Sequence, residues 1–269
     1  MQVLETFELE LKNILKGLDC TYINEIGDFI FAPSKRLRPR LIFAACKALN
    51  KPIDTEQIKL AVAIELLHSA TLAHDDVIDN SCMRRGKSSF FGELGSHGAV
   101  LIGDYILAIM LKILADIGSS DVTRLYSEYI MRVIQGEFSQ MKNKNVVRTE
   151  EEYIKVCAQK TASLFELALS SVFCNEAEEL RTELIAYAQN FGIAFQIKND
   201  IADFEGDGAD CKNGTYTLPS ILKEKGFSNS EIKVQCEGRI AKYAETALGA
   251  IQNLKINKEH LIEYLGYLK

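Results

Sequence analysis

The stretch "IKLAVAIELLHSATLAHDDVIDN", residues 58–80, decides the fold of this chain. Its apolar residues are spaced by three and four, and up to Ala73 they lie all round the helix that this spacing predicts. Such a helix belongs in the middle of a bundle, where polar groups are costly unless they are paired or liganded. Polar groups are nevertheless present: Glu65, His68, His74, Asp75, Asp76 and Asp79.

Spacings of three and four also dominate the rest of the chain, which contains only four prolines. The sequence therefore predicts an all-α fold, a helical bundle without strands. We expect helices at about residues 2–17, 21–31, 37–49, 55–79, 94–117, 120–143, 149–173, 176–204, 218–225, 229–253 and 257–268. Because no linker or internal repeat interrupts this pattern, we predict one domain over residues 1–269.

The composition limits the classes of function. Hydrophobic residues at 47% and charged residues at 25% are typical of a soluble globular protein, and the net charge of -6 argues against a nucleic-acid partner. Seven scattered cysteines without CxxC spacing indicate reduced thiols and a cytoplasmic protein. The most apolar stretch, residues 99–118, carries Asp104, Lys112 and Asp116, so we interpret it as a buried helix and predict no membrane span.

The end of the opening stretch carries the first candidate metal site. On a helix, His68, Asp75 and Asp79 lie near one face, because their spacings are close to two turns and one turn. Two carboxylates one turn apart, with Asp76 beside them, suit Mg²⁺, which keeps several waters and bridges to substrate phosphates. The alternative is an ordinary solvated helix end, which the apolar character of the preceding helix disfavours.

A second acidic cluster, "FQIKNDIADFEGD" at residues 195–207, ends another mostly apolar helix. Its polar residues also share one face of that helix. They are Gln196, Asn199, Asp200 and Asp203. Two acidic helix ends built alike could face each other across a cavity and hold metal ions between them. A calcium-binding loop is excluded, because the twelfth position from Asp203, where such a loop needs Glu, is Gly214.

Three short basic stretches could serve an anionic substrate: "SKRLRPR" at 34–40, "MRRGK" at 83–87 and "QKTASLF" at 159–165. Each alone is more often a solvated run of charge. Together with two acidic motifs they favour a diphosphate, which cationic side chains and the N–H groups of a helix start bind well. We therefore interpret the acids and bases of residues 75–85 as ligands of one diphosphate, not as partners of one another.

These motifs together resemble the trans-isoprenyl diphosphate synthases, also called polyprenyl synthetases. The resemblance is carried by "LLHSATLAHDDVIDNSCMRRGK", "SKRLRPR", "QKTASLFE", "GIAFQIKNDIADFEGD" and "GTYTLPSI", which occur in the family's order between residues 34 and 221. It implies an all-α bundle around a deep central cavity, a Mg²⁺-dependent prenyltransferase and a homodimer. The implied substrates are isopentenyl diphosphate and an allylic diphosphate.

The resemblance also assigns roles to individual residues. Asp75 and Asp79, with Asp76 beside them, would form the first metal site. Asp200 and Asp203 would belong to the second. The residues that would bind isopentenyl diphosphate are Lys35, Arg38, His68 and Arg85. Those around the allylic diphosphate, where the chemistry takes place, are Arg84, Lys160, Thr161 and Gln196.

The length of the product is suggested by the residues before the first acidic motif. In the family a bulky aromatic there stops chain growth early, whereas this chain has the small residues Ala70 and Thr71. The stretch "VIQGEFSQM", residues 133–141, also resembles bacterial octaprenyl synthases. We therefore expect a long product of about six to eight isoprene units, for quinone side chains. The alternatives are a short-chain farnesyl or geranylgeranyl synthase, or a catalytically weak subunit of a heteromeric prenyltransferase.

Two positions depart from the family's pattern. Asn199 stands where the second motif usually begins with an aspartate, and its neutral carbonyl is a weaker Mg²⁺ ligand than a carboxylate. Thr215 stands where the family usually has a lysine. Lys198 or Lys212 could supply the missing charge.

Overall fold

The computed structural model describes residues 2–84, 86–142, 146, 149–174, 176–206 and 214–269. Helices make up most of these residues, which confirms the predicted all-α fold. Within the described residues, strands occur only as a short antiparallel hairpin, Met83–Arg84 with Lys87–Ser88, which the sequence did not predict.

The chain forms two compact units. One comprises Met1–Cys46 and Lys51–Thr123, and the other comprises Lys47–Asn50 and Arg124–Lys269. The single domain over residues 1–269 and the central cavity stay predictions.

The first unit is built around helix α4. Its elements are α1 (Gln2–Lys16), α2 (Ile23–Ile30), most of α3 (Leu37–Ala48), α4 (Thr55–Ile78), β1 (Met83–Arg84), β2 (Lys87–Ser88) and α5 (Phe90–Ile117). Helix α4 begins with a capping box, in which the Asp54 carboxylate accepts from the Glu56 N–H and the Gln57 side chain accepts from the Asp54 N–H. From Leu60 to Leu67 every side chain of α4 is buried, as its apolar character predicts.

Helix α5 packs along α4. Gly103 allows the close approach, because a Cβ there would lie 2.3 Å from Nε2 of His74. The helix starts at Phe90, earlier than the predicted residue 94, but Gly95 at φ 67° interrupts its helical backbone. Its continuous part therefore begins close to the predicted residue.

The outer face of α5 is only partly covered within the chain. Among the described residues, α5 alone is long and apolar enough to cross a membrane, two criteria that core helices of soluble proteins also meet. About half of its most apolar window, 44%, is buried, while Leu101 and Leu111 are exposed. The prediction of a buried helix is therefore correct for one face and wrong for the other.

A buried ion pair explains the charge in the middle of α4. Glu65 is buried and accepts from Nη1 of Arg36 at 2.7 Å. Glu8 on α1 accepts from Nε of the same guanidinium at 2.8 Å. Arg36 itself has φ 48°, a conformation that costs a non-glycine residue energy and that these contacts hold in place. Arg36 therefore joins α1, α3 and α4, and belongs to the core although it lies in a basic stretch.

The second unit is built around helix α9. Its elements are α6 (Ser120–Lys142, from Arg124 on), α7 (Glu150–Cys157), a π turn (Ala158–Ala162), α8 (Ser163–Phe173), α9 (Glu178–Glu205), α10 (Leu218–Glu224), α11 (Asn229–Gln252), α12 (Glu259–Tyr264) and a 3₁₀ turn (Leu265–Leu268). Helix α9 packs against α8 and α11. The predicted helix over 149–173 is thus two helices joined by a π turn, which the apolar spacing does not reveal.

Replacing Arg36 by alanine should lower the free energy of unfolding by about 3–5 kcal/mol, because the Glu65 carboxylate is left buried without its cation. Urea denaturation followed by circular dichroism measures this change. Arg40→Ala is the control, since its guanidinium donates to the Lys35 carbonyl at the surface and its loss should change stability by at most about 0.5 kcal/mol. Equal losses in the two variants would contradict the role given to Arg36.

Candidate active site

Helix α4 ends at its aspartates in a Schellman motif. Asn80 adopts the left-handed conformation with φ 51° and donates its N–H to the Val77 carbonyl. The Ser81 N–H donates to the Asp76 carbonyl at 2.8 Å, and Asp79 is the C-cap residue. The cap fixes where the chain leaves the helix, and so fixes the aspartates of the last turn.

This location is electrostatically unfavourable for carboxylates. The last turn of a helix carries partial negative charge, which favours a nearby cation by about 0.3–1 kcal/mol and disfavours an anion. Helix α4 ends with three aspartates and no basic residue in its last turn. Helix α9 ends with Asp200, Asp203 and Glu205, again without a basic residue there. Cations that come from outside the last turn would therefore stabilise the carboxylates at each helix end.

Arg84 supplies one of these cations. The Asp76 side chain is fully buried, and its two oxygens accept from Nε of Arg84 at 2.8 and 2.9 Å. Arg84 lies on the hairpin, whose turn contains Gly86 at φ 77°. Burial raises the pKa of Asp76, and the Arg84 guanidinium opposes this rise. The interpretation that acids and bases in this segment are not partners is therefore wrong for this pair.

The other predicted residues of this motif are more accessible. Asp75, Asp79 and His68 are half-buried, in line with the common face that their spacing predicts. Ala70 is fully buried, and Thr71 is half-buried with its hydroxyl donating to the His68 carbonyl. Small side chains thus occupy the two positions, four and five residues before Asp75, that the sequence singled out.

The basic residues predicted for isopentenyl diphosphate belong to the same unit. Lys35 is exposed just before α3, and Arg38 is buried in the first turn of that helix. Arg85 lies outside the described residues. The start of α3 therefore offers two cations at the positive end of a helix, as the sequence predicts.

In the second unit, the π turn carries Lys160 and Thr161. Such turns are often found at functional sites in proteins. The neighbouring helices α6 and α9 approach this turn closely at glycines. A Cβ at Gly136 on α6 would lie 2.9 Å from the backbone nitrogen of Lys160, and a Cβ at Gly192 on α9 would lie 2.4 Å from the Cα of Ala162. Lys160 extends to Glu137 on α6, with Nζ 2.5 Å from a carboxylate oxygen.

A chain of hydrogen bonds joins this turn to the second acidic motif. The Thr161 hydroxyl donates to Oε1 of Gln196 at 2.7 Å. The amide of Gln196 donates to Oδ1 of Asp200, also at 2.7 Å. The other oxygen of Asp200 accepts from the Tyr153 hydroxyl at 2.6 Å. The structure therefore brings together three residues predicted for this site and adds Tyr153.

The remaining positions of the second motif have different surroundings. Asn199 is exposed, while Asp203 is half-buried. Lys198 donates to the carbonyls of Tyr267 and Lys269, so it holds the segment after α12 and is not the replacement charge that the sequence suggested. Lys212, the other candidate for that charge, lies outside the described residues.

The donor set fits Mg²⁺. Among the described residues, no group of three or more His, Cys, Asp or Glu side chains forms a ready-made metal cage. Mg²⁺ does not need one, because one or two carboxylates usually hold it while waters and substrate phosphates complete its octahedron. Asp75 with Asp79, and Asp200 with Asp203, each offer two carboxylates at one helix end.

Sequence reasoning missed Tyr153 and Glu137. Tyr153 lies seven residues before Lys160, and such a spacing indicates one helix face but not a contact with α9. Glu137 lies next to Gly136 in a turn of α6 that also carries Gln135 and Ser139, so the sequence gives no signal that sets it apart. Both contacts depend on how helices pack, which one sequence does not give.

Comparison with known proteins gives consistent matches. A family model for polyprenyl synthetases matches residues 20–240. The octaprenyl diphosphate synthase of Escherichia coli (strain K12) is 35% identical over 215 residues, which cover 76% of this chain and 66% of that protein. The short chain isoprenyl diphosphate synthase of Methanocaldococcus jannaschii is 31% identical over 86% of this chain and 74% of that protein. The chain thus matches slightly less than two thirds of the Escherichia coli protein.

A solved structure is similar over nearly the whole chain. The crystal structure of heptaprenyl diphosphate synthase from Staphylococcus aureus has a TM-score of 0.87 with this chain at 25% sequence identity. The match covers 99% of this chain and 96% of that one. The fold type that the motifs predict is therefore confirmed.

Replacing Gly192 by alanine should lower stability by about 1–3 kcal/mol, because the new Cβ would press against the backbone of Ala162 in the π turn. Thermal unfolding measures this loss. Gly238→Ala on α11 is the matched control, since nothing lies within 4 Å of its Cβ and a helical alanine should stabilise by up to about 1 kcal/mol. A Gly192 variant as stable as the Gly238 variant would contradict the close contact between α9 and the π turn.

Proposed function

Because the chain belongs to the polyprenyl synthetase family, we propose that it condenses isopentenyl diphosphate with an allylic diphosphate to make an all-trans polyprenyl diphosphate. The match confirms the predicted family, and the enzyme class, the transferases of prenyl groups, is part of this proposal. The observation that carries the proposal is the pair of helix ends at which aspartates gather without a basic residue in the last turn. Such ends suit a cation-bound diphosphate better than any neutral ligand.

The proposed cofactor is Mg²⁺. Asp75 and Asp79 would hold it at the end of α4, and Asp200 and Asp203 at the end of α9. When bound, it would neutralise charge on the diphosphate that leaves. In this proposal Asp76 acts indirectly, because its buried carboxylate orients the Arg84 guanidinium.

The basic residues would bind the two diphosphates directly. Arg84 and Lys160 would take the allylic one, and Lys160 would exchange Glu137 for a phosphate oxygen. Isopentenyl diphosphate would be bound by the predicted basic residues Lys35, Arg38, His68 and Arg85. As the allylic C–O bond breaks, the double bond of isopentenyl diphosphate attacks the allylic cation, and a proton passes to the departed diphosphate. These steps need no side-chain nucleophile.

The proposed product is long, about six to eight isoprene units, for quinone side chains. Ala70 is buried and Thr71 is small, so the two positions four and five residues before the aspartates carry no bulky aromatic side chain. The octaprenyl synthase of Escherichia coli supports this length. The short chain synthase of Methanocaldococcus jannaschii supports the second candidate, a short-chain product, and sizing the product distinguishes the two.

We further propose a cytoplasmic homodimer in which a second copy covers one face of α6. Four apolar side chains on that helix are 46–61% exposed and are spaced by three, four and three residues. They are Met131, Ile134, Phe138 and Met141. An apolar stripe of this kind on a helix is typical of a protein–protein contact. The cytoplasmic location is supported by the seven scattered cysteines without CxxC spacing, which are typical of reduced thiols.

The activity is tested with purified protein, Mg²⁺, labelled isopentenyl diphosphate and a panel of allylic primers, with products sized after dephosphorylation. Asp75→Ala and Asp79→Ala should each lower turnover at least about a hundredfold, because each removes a charged ligand from the metal site. Asp116→Ala, an exposed aspartate near the end of α5, should leave turnover unchanged. Near-normal product from the Asp79 variant would rule out the metal role, and no product from the unaltered protein would rule out the activity.

Phe138→Asp should convert a dimer into a monomer, because it places a charge in the middle of the α6 stripe. Light scattering after size-exclusion chromatography measures the mass. Val234→Asp on α11 is the matched control, because Val234 is also an exposed apolar residue, at 64%, and lies outside the stripe. A dimer that persists in the Phe138 variant would remove α6 from the interface.

A further inference from the structure

We propose that Tyr153 is a positioning residue whose hydroxyl fixes the carboxylate of Asp200 in the orientation with which the second acidic motif binds its divalent cation. The inference rests on the proposed function, since it gives a role within that metal site to a residue outside both acidic motifs. Tyr153 lies on α7 and Asp200 on α9, so the contact joins two helices of one unit.

The geometry leaves the carboxylate little freedom. Asp200 is 2% exposed, and each of its oxygens accepts a short hydrogen bond, one from Tyr153 at 2.6 Å and one from Gln196 at 2.7 Å. Two donors on opposite oxygens oppose rotation of the group about its Cβ–Cγ bond. A carboxylate has about four lone-pair sites, more than these two hydrogen bonds use.

The choice of donor is significant because both donors are neutral. At the first motif, the buried Asp76 is bound by the Arg84 guanidinium, which opposes its charge directly. A phenol and an amide orient Asp200 without bringing a positive charge of their own. These two donors therefore orient the carboxylate without themselves competing electrostatically with a divalent cation.

Tyr153 is suited to act as a permanent donor. Its ring is buried in an apolar cluster with Cys157, Ile197 and Leu218. A tyrosine phenol, with an ordinary pKa of about 10, keeps its proton at physiological pH and so remains a hydrogen-bond donor. Helix α7 is itself anchored, because Thr149 caps its start in a capping box.

The test compares Tyr153→Phe with Tyr187→Phe. Each variant removes one buried hydroxyl from the second unit, but the Tyr187 hydroxyl donates to the Leu261 carbonyl, away from Asp200. Two readouts are used: the rise in melting temperature produced by Mg²⁺ with inorganic diphosphate, and the Mg²⁺ concentration for half-maximal turnover. The first readout needs neither prenyl substrate nor catalysis.

We expect Tyr153→Phe to need about tenfold more Mg²⁺ for both effects, the size expected when one hydrogen bond to a charged group is lost. Its KM for isopentenyl diphosphate at saturating Mg²⁺ should be unchanged. Tyr187→Phe should lower the melting temperature without changing either Mg²⁺ dependence. If Tyr153→Phe does not fold, 3,5-difluorotyrosine can be placed at position 153 instead, because it keeps the ring and changes the strength of the hydroxyl as a donor. This replacement should still shift the Mg²⁺ dependence, whereas the same replacement at position 187 should not.

Equal Mg²⁺ dependence in the variants of positions 153 and 187 would overturn the role of Tyr153 and leave the proposed function standing. Absence of any effect of Mg²⁺ with diphosphate on the unaltered protein, together with absence of prenyl product, would instead overturn the proposed function and this inference with it. In an Asp200→Asn background, adding Tyr153→Phe should cause no further loss of Mg²⁺ stabilisation. A further loss of the same size as in the unaltered protein would show that Tyr153 does not act through Asp200.

Discussion

The aspartates at the ends of α4 and α9 lie at the negative ends of their helices. The rest of the candidate site depends on which groups stabilise this negative charge. At α4 the chain itself supplies a cation for Asp76, namely Arg84, which lies on a short two-stranded hairpin. At α9 the buried Asp200 accepts hydrogen bonds from the neutral side chains of Tyr153 and Gln196. The two ends resemble each other in sequence but differ in these contacts.

The ion pairs of the two units differ in how deeply their partners are buried. Glu65 and Arg36 neutralise each other inside the first unit and link three helices. Lys160 is also paired, with Glu137, but its side chain is 20% exposed, and in the proposed function a diphosphate oxygen would replace the carboxylate. Burial of both partners makes an ion pair structural, whereas access by water to one partner keeps the pair exchangeable.

The helices were predictable because apolar residues recur with the helical period and because capping residues such as Asp54 and Thr149 mark the starts. The aspartates and Lys160 could be singled out as candidate site residues because charged groups beside apolar helices are costly unless they are paired or liganded. Their roles stay predictions. The contact of Tyr153 with Asp200 was not predictable, since 47 residues separate the two and only helix packing brings them together. The pairing of Asp76 with Arg84 was missed because the hairpin that carries Arg84 is too short to produce an alternating pattern.

The π turn at Ala158–Ala162 has a consequence for how this segment tolerates change. A π turn accommodates one residue more than an α turn, so the faces of α7 and α8 are offset by about 100° from those of an unbroken helix. Deleting one residue of the turn would let it close into an α turn and keep Phe165 and Leu169 of α8 facing the core that they fill, whereas a deletion elsewhere in α7 or α8 would rotate part of the segment by about 100°. The π turn is thus the place in this segment where the loss of one residue disturbs the packing of the core least.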